Sequence, residues 1–502
     1  MVFTSKAFIF LFMPLCAGIY YLLNCLKHCK KANTFCNRLR LKDWTLILFS
    51  LTFYSWAGIL GLREIVIFAL IIYAAAYLMS RLKSSGICIP LQKNDGSGAY
   101  QPCGRLFVFS IIFTFSIVFV VTELVLFKYP DVLARIWCIF SGGTISNPSI
   151  LTPIGISFIS FAAISYLTDI YRGQATAGSF VDCLFYILFF PKVISGPIVL
   201  WKDFQPYLVA RTSNLQLTVT GINRIVCGLA KKAILADTFG AYLADFESRG
   251  MDRITALCTL ILYTLQIYYD FSGYSDVAIG LSNMFGFEFK ANFNFPYRSK
   301  SISEFWRRWH ISLGTWFREY VYFPLGGSRC SKKRAAFNLG VVFALTGIWH
   351  GTGMNYLLWG LVNGLFVIGD HYWKDKPLNK KMPNFLKHIS TMIIVILCWQ
   401  LFRFNDLSKI GTLFGTILGT IKAENLVYTW RYYLDTRFLF LVIIGILGAT
   451  VLGSPKLINF YKKVCVKPSV YIIQEALILV LLVLSILFII NSTYSPFIYF
   501  QY

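Results

Sequence analysis

Histidine is the residue in this chain best suited to proton chemistry near neutral pH, and there are five: His28, His310, His350, His371 and His388. His28, His371 and His388 sit in or beside basic loops. His350 ends the apolar run Ala335 to Trp349, which begins after the cluster Arg329, Lys332, Lys333 and Arg334. At helical rise this puts His350 about 22–24 Å from the basic end, well inside a hydrocarbon layer of about 30 Å. An ionisable group at that depth marks function by default. Apolar surroundings keep its imidazole neutral and able to take a proton, which is what a base acting on a hydroxyl requires. A histidine that only bridges two helices by hydrogen bonds is the bland alternative. Gly351 and Gly353 follow, then a second apolar run from Met354 to Gly369, so the sequence predicts a helical hairpin with His350 near its turn.

His310 lies in a stretch dense in Trp and Arg. Ser303 with Trp306 onward reads as a helix start, and at helical spacing Trp306, Trp309, His310 and Leu313 share an apolar face with Trp316 or Phe317. Arg307, Arg308 and Arg318 then point toward headgroups. An interfacial helix explains the tryptophans and does not need the histidine.

Positioning these groups is the task of a membrane bundle. The 502 residues are 57% apolar and 14% charged, against roughly 45–50% and 25% in soluble domains. Runs at Ala7–Leu23, Trp44–Leu60, Leu106–Phe127, His388–Phe404, Arg437–Gly453 and Ile472–Ile490 approach the roughly 20 residues that span a bilayer. With shorter segments, about a dozen helices cross or enter the membrane, an all-α polytopic fold in one membrane domain, residues 1–502. The first run has Lys6 before it and no A-x-A-like site after it, so it reads as a retained helix.

The net charge of +24 is spread between apolar runs rather than along one stripe, which argues for membrane topology and against nucleic acid. Lys27, Lys30, Lys31, Arg38, Arg40 and Lys42 make the first loop cytoplasmic, as Arg81, Lys83, Lys93 and Arg105 do the third. The link Gly61 to Glu64 then falls outside, and so does the C-terminal tail from 491 to 502. Charge contrast between Thr176 and Asn294 is too small to count crossings.

Most of the 13 cysteines lie in apolar runs. Cys25, His28, Cys29 and Cys36 cluster in the first loop, but their spacing is not that of a zinc site, and no metal is expected. The chain has no Walker A sequence, G-x-G-x-x-G, H-E-x-x-H or G-x-S-x-G.

Four blocks then fall in order: Tyr269-Asp-Phe-Ser-Gly-Tyr-Ser-Asp-Val-Ala-Ile-Gly280, Asn292-Phe-Asn-Phe-Pro-Tyr297, Ser303 to Gly327 with its Trp-Arg-Arg-Trp-His-Ile-Ser, and Leu345-Thr-Gly-Ile-Trp-His-Gly351. Together they resemble the core of the membrane-bound O-acyltransferases (MBOAT), in the branch that serves alginate O-acetylation. Met1 to Ser5, Gly155 to Phe158, Tyr166 to Arg172 and Pro191 to Ile198 continue the likeness, whose core motifs lie within 150–370. The resemblance implies that His350 is the catalytic histidine, with His310 its upstream polar partner.

It also implies a donor, an acceptor and a partner. The donor is an acyl thioester, acetyl-CoA or an acyl carrier protein, approaching the basic cytoplasmic face, with no cofactor bound. The acceptor is a hydroxyl of an extracytoplasmic polysaccharide, and acetyl is the expected group. A separate periplasmic or surface transferase, acetyltransferase or esterase-like, is the expected partner beside membrane lipid, in the inner membrane of a bacterium. Peptidoglycan and, in a D-alanylation setting, teichoic acid stay open as polymers. A hydrogen-bond donor for the oxyanion comes from His310, Asn338, Asn355 or a tryptophan such as Trp349. Asp270 and Asp276 match the family and serve either the site wall or buried polar groups. The aromatic tail ending in Tyr502 anchors at the interface or, by likeness to terminal aromatic motifs of bacterial relatives, relays the acyl group. A secondary transporter, with Glu123 and buried aspartates for proton coupling, is the competing class, but no paired broken helices support it. An inactive scaffold is a further alternative.

Overall fold

The computed structural model describes residues 2–25, 39–56, 58–83, 104–141, 152–211, 214–422, 426–465 and 467–491. Tyr502 and the tail from 492, together with His28, Cys29 and Cys36, lie outside them. Among the described residues every regular element is helical. Seven helices among the described residues are long and apolar enough to cross a bilayer: Phe8–Cys25, Ile59–Leu82, Phe107–Lys128, Arg253–Met284, Asn384–Arg403, Thr436–Gly453 and Pro468–Asn491. This is the polytopic helical bundle that the composition requires, since lipid leaves helix or closed barrel as the only way to satisfy a spanning backbone.

Two expectations shift. The run Trp44–Leu60 is not one span: a helix Leu41–Ser55 ends there, and Gly58 at φ 142° starts the next, Ile59–Leu82. Gly61 to Glu64 is therefore helix, not a link, because leucine and isoleucine around it continue the apolar helix past the glycine. Among the described residues of the stretch left uncounted, 176–294, only Arg253–Met284 has the length and hydropathy of a span.

The chain divides into two compact units. The first comprises residues 1–218 and 282–288, the second 219–281 and 289–502. The first has a core of packed aromatics, with Phe8 and Phe12 against Phe53 and Phe190 at centroid distances of 5.3–6.4 Å.

The second unit holds both central histidines. We number its helices nearest them α1 (Ile302–Arg308), α2 (Ile311–Phe317), α3 (Lys332–His350), α4 (Met354–Trp373) and α5 (Asn384–Arg403). Helices α3 and α4 form the predicted hairpin. Their approach is set by glycine: a Cβ on Gly347 would sit 2.5 Å from the Tyr356 carbonyl oxygen, and one on Gly360 would strike the Phe343 carbonyl.

Candidate active site

His350 is the last residue of α3 and 4% exposed. Its ring packs edge to face on Trp359 of α4 at 5.0 Å and on Phe402 of α5 at 5.2 Å, with Trp349 at 4.8 Å. Three helices thus fix one imidazole by ring contacts.

His310 is reached differently from the single helix expected. Ser301, not Ser303, caps α1, its Oγ accepting from Glu304 N–H. Ser303 lies in the first turn and donates its N–H to Asp370 Oδ2 at 2.7 Å, tying α1 to α4. The helix then breaks at Trp309, and His310 takes left-handed geometry (φ 45°, ψ 55°) before α2. Such geometry is strained for a residue with a Cβ and persists only when its surroundings enforce it. Here a backbone pairing enforces it: Asn294 N–H donates to Arg308 O and Ile311 N–H to Asn292 O, both at 2.9 Å.

The His310 side chain is 2% exposed. Its Nδ1 lies 3.1 Å from Asn292 Oδ1, Phe271 packs on it edge to face at 4.7 Å, and Nε2 is buried without a hydrogen-bond partner. Burial pushes its pKa down to about 3, so the ring is neutral at physiological pH.

His310 and His350, with His371, line one cavity of about 990 Å³. From the buried His310 and His350 it reaches exposed Lys300, Arg307, Arg318 and Lys374 and half-buried Lys387, against two carboxylates, Glu304 and Asp370. The rim is therefore cationic and suits an anionic ligand. Trp306 also lines it, and its Nε1–H is buried with no acceptor.

Other candidates lie elsewhere. Arg308 is outside the lining, paired with Glu304 at 2.9 Å. Asn338 donates to the carbonyls of Leu325 and Gly327 at 3.1 and 3.3 Å, bracing the loop before α3. Asn355 donates to Leu401 O at 3.2 Å and joins α4 to α5. Neither of these, nor Trp349, lines the cavity. Asp270 is bound by Lys232 at 2.7 Å, which also meets Asp237 at 2.6 Å, and Asp276 by Arg224 and Lys231 at 2.8 and 2.6 Å. Both aspartates are thus engaged in ion pairs, away from the lining. Among the described residues no cluster of three or more His, Cys, Asp or Glu side chains is arranged to hold a metal.

Asn292, Trp306 and Lys374 are site residues that sequence reasoning did not assign. Asn292 opens the Asn-Phe-Asn-Phe-Pro-Tyr block, but nothing in its spacing tells that it meets His310, since the contact depends on the helix break. Lys374 and Lys387 read as loop charges and join the rim only through the hairpin.

A cavity lined by histidines has many uses, and comparison with known proteins narrows them. The profile of the MBOAT, membrane-bound O-acyltransferase family, matches residues 119–376. The chain is 32% identical over 522 aligned positions, covering 100% of both proteins, to the probable alginate O-acetylase AlgI of Pseudomonas putida. It is 29% identical to the peptidoglycan O-acetyltransferase of Helicobacter pylori, over 75% of this chain and 79% of the relative. It is 30% identical to the teichoic acid D-alanyltransferase of Bacillus subtilis, over 47% and 64%. With matched segments that include His310 and His350, the chain belongs to the membrane-bound O-acyltransferase family and is a multi-pass membrane O-acyltransferase of its AlgI-like branch.

Proposed function

We propose that this enzyme moves an acetyl group from a cytoplasmic thioester, acetyl-CoA or an acyl carrier protein, to hydroxyls of an extracytoplasmic polysaccharide. The observation that carries this reading is the single cavity that joins His310 and His350 to the rim of Lys300, Arg307, Arg318 and Lys374. A thioester carrier with phosphate groups is anionic and extended, and such a rim attracts it.

In this reading His350 takes the proton of the attacking hydroxyl as the new C–O bond forms on the thioester carbonyl. The tetrahedral intermediate then collapses, the C–S bond breaks, and the proton passes to the departing thiolate. Trp306 Nε1–H is the best-placed donor to the oxyanion, because it lines the cavity and has no acceptor of its own.

The polymer follows the relatives: an alginate-like exopolysaccharide first, with peptidoglycan O-acetylation or D-alanylation as the second reading. A separate extracytoplasmic transferase completes delivery, and Tyr502 relays the acyl group to it. The inner membrane is the setting, with the cationic rim on the cytoplasmic side and the tail outside.

The test supplies membranes containing the protein and its partner with labelled acetyl-CoA or with D-alanyl carrier protein. Label reaching polymer from acetyl-CoA alone supports acetylation. Label from the D-alanyl carrier alone replaces it with the second reading.

A further inference from the structure

Asn292 is 1% exposed, and its Oδ1 receives three groups: Ser312 N–H at 3.1 Å, Ser312 Oγ–H at 2.9 Å, and His310 Nδ1 at 3.1 Å. An amide can be built in either of two orientations, but here a backbone N–H decides. Ser312 N–H can only donate, so the atom facing it is the oxygen. That oxygen can only accept, and a bare imidazole nitrogen 3.1 Å from it would oppose lone pair to lone pair. Ser312 Oγ is 3.5 Å from His310 Nδ1, the limit of a hydrogen bond, and its shorter contact is to Asn292. The proton of the neutral ring therefore sits on Nδ1, and Nε2 carries the lone pair.

We propose that Asn292 is a positioning residue that fixes the tautomer of His310, so that Nε2 accepts a hydrogen bond from a substrate N–H or O–H. The consequence for catalysis rests on the acyl-transfer reading above; the tautomer does not. His310 in this state cannot donate to an oxyanion, which leaves that role to an N–H such as that of Trp306. Two substrate groups can supply the hydrogen: an amide N–H in the arm of a pantetheine thioester, or the hydroxyl of the acceptor. His310 lines the cavity and its buried Nε2 has no partner, which calls for one of them, because a buried polar atom left unsatisfied costs about 1–3 kcal/mol.

The experiment has two readouts on full-length protein in lipid. The first is solid-state 15N spectroscopy of the five histidines, with the His310 signals assigned by their absence in His310→Gln. Wild type shows Nδ1 protonated and Nε2 bare, and Asn292→Leu shifts the ring toward the other tautomer. The second is transfer kinetics across pH. Asn292→Leu raises the KM of one substrate roughly tenfold, the scale of one hydrogen bond, and the affected substrate, thioester or acceptor, identifies the group bound. Asn292→Asp keeps an oxygen for Ser312 and His310 and restores that KM near neutral pH. Its carboxylate also favours the imidazolium, so activity fails at higher pH than in wild type as acid is added.

A bare Nδ1 in wild type, or a tautomer unmoved in Asn292→Leu, overturns the proposal. So does a shifted tautomer with unchanged kinetics. If the tautomer responds as described while His350→Ala still transfers label, the lock on His310 stands and the catalytic reading falls.

Discussion

His350, the last residue of α3, and Trp359, in the second turn of α4, meet edge to face with centroids 5.0 Å apart and planes at 89°. That contact exists because Gly347 and Gly360 let the two helices close to near backbone contact.

A side chain at the crossing should therefore move the histidine. Gly347→Val is expected to lose about 1–3 kcal/mol by overpacking and to abolish transfer, since its Cβ meets the Tyr356 carbonyl at 2.5 Å. Gly369→Ala, with nothing within 4 Å of the added Cβ, serves as the control and should behave as wild type. Thermal melts in detergent with parallel activity assays check both; equal behaviour of the two variants would remove the crossing from the account.

Burial of His310 predicts a pH dependence of stability. Its folded pKa, pushed down to about 3, lies below the roughly 6.5 of an unfolded histidine. The unfolded chain then binds more protons, so this contribution is fully present above about pH 6.5 and is lost as pH falls toward the folded value. At about pH 5 the loss amounts to about 2 kcal/mol. His310→Gln should lose less stability than wild type between about pH 7 and 5, measured by melting in matched buffers. Parallel curves would contradict a buried neutral ring.

Lys232, with its side chain 6% exposed, meets both Asp270 and Asp237. Removing one member of a buried pair leaves an uncompensated charge and costs about 3–5 kcal/mol. Lys232→Met should therefore unfold readily, and Lys232→Met combined with Asp270→Asn should recover part of the loss. A double variant no better than the single one would show that the pair is not coupled.

The cationic rim predicts salt-sensitive donor binding. Arg307→Glu and Lys374→Glu should each raise the KM for an anionic thioester several-fold at low ionic strength and leave kcat nearly unchanged, the effect fading as salt screens it. Steady-state kinetics at two salt concentrations checks this. A fall in kcat with constant KM would place these residues in the chemistry instead.

Much of this arrangement is legible in the sequence. The α3–α4 hairpin follows from two apolar runs flanking Gly351 and Gly353, and the place of His350 at its turn from the end of the first run. His310 could be singled out but not placed, because 3.6-residue periodicity assumes a continuous helix. The break at Trp309 is imposed by pairing with residues 292–294, a contact outside any local window. Asn292 stayed hidden for the same reason. Asp270 and Asp276 look alike in sequence to residues lining a site, and only their ion partners, Lys232 and Arg224 with Lys231, separate the two roles.

The central claim is that transfer depends on His350. Membranes carrying wild type or His350→Ala at matched expression, supplied with the partner transferase and labelled acetyl thioester, test it directly. The account predicts label on polymer or protein with wild type and none above background with the variant. Transfer by His350→Ala at the wild-type rate would contradict it.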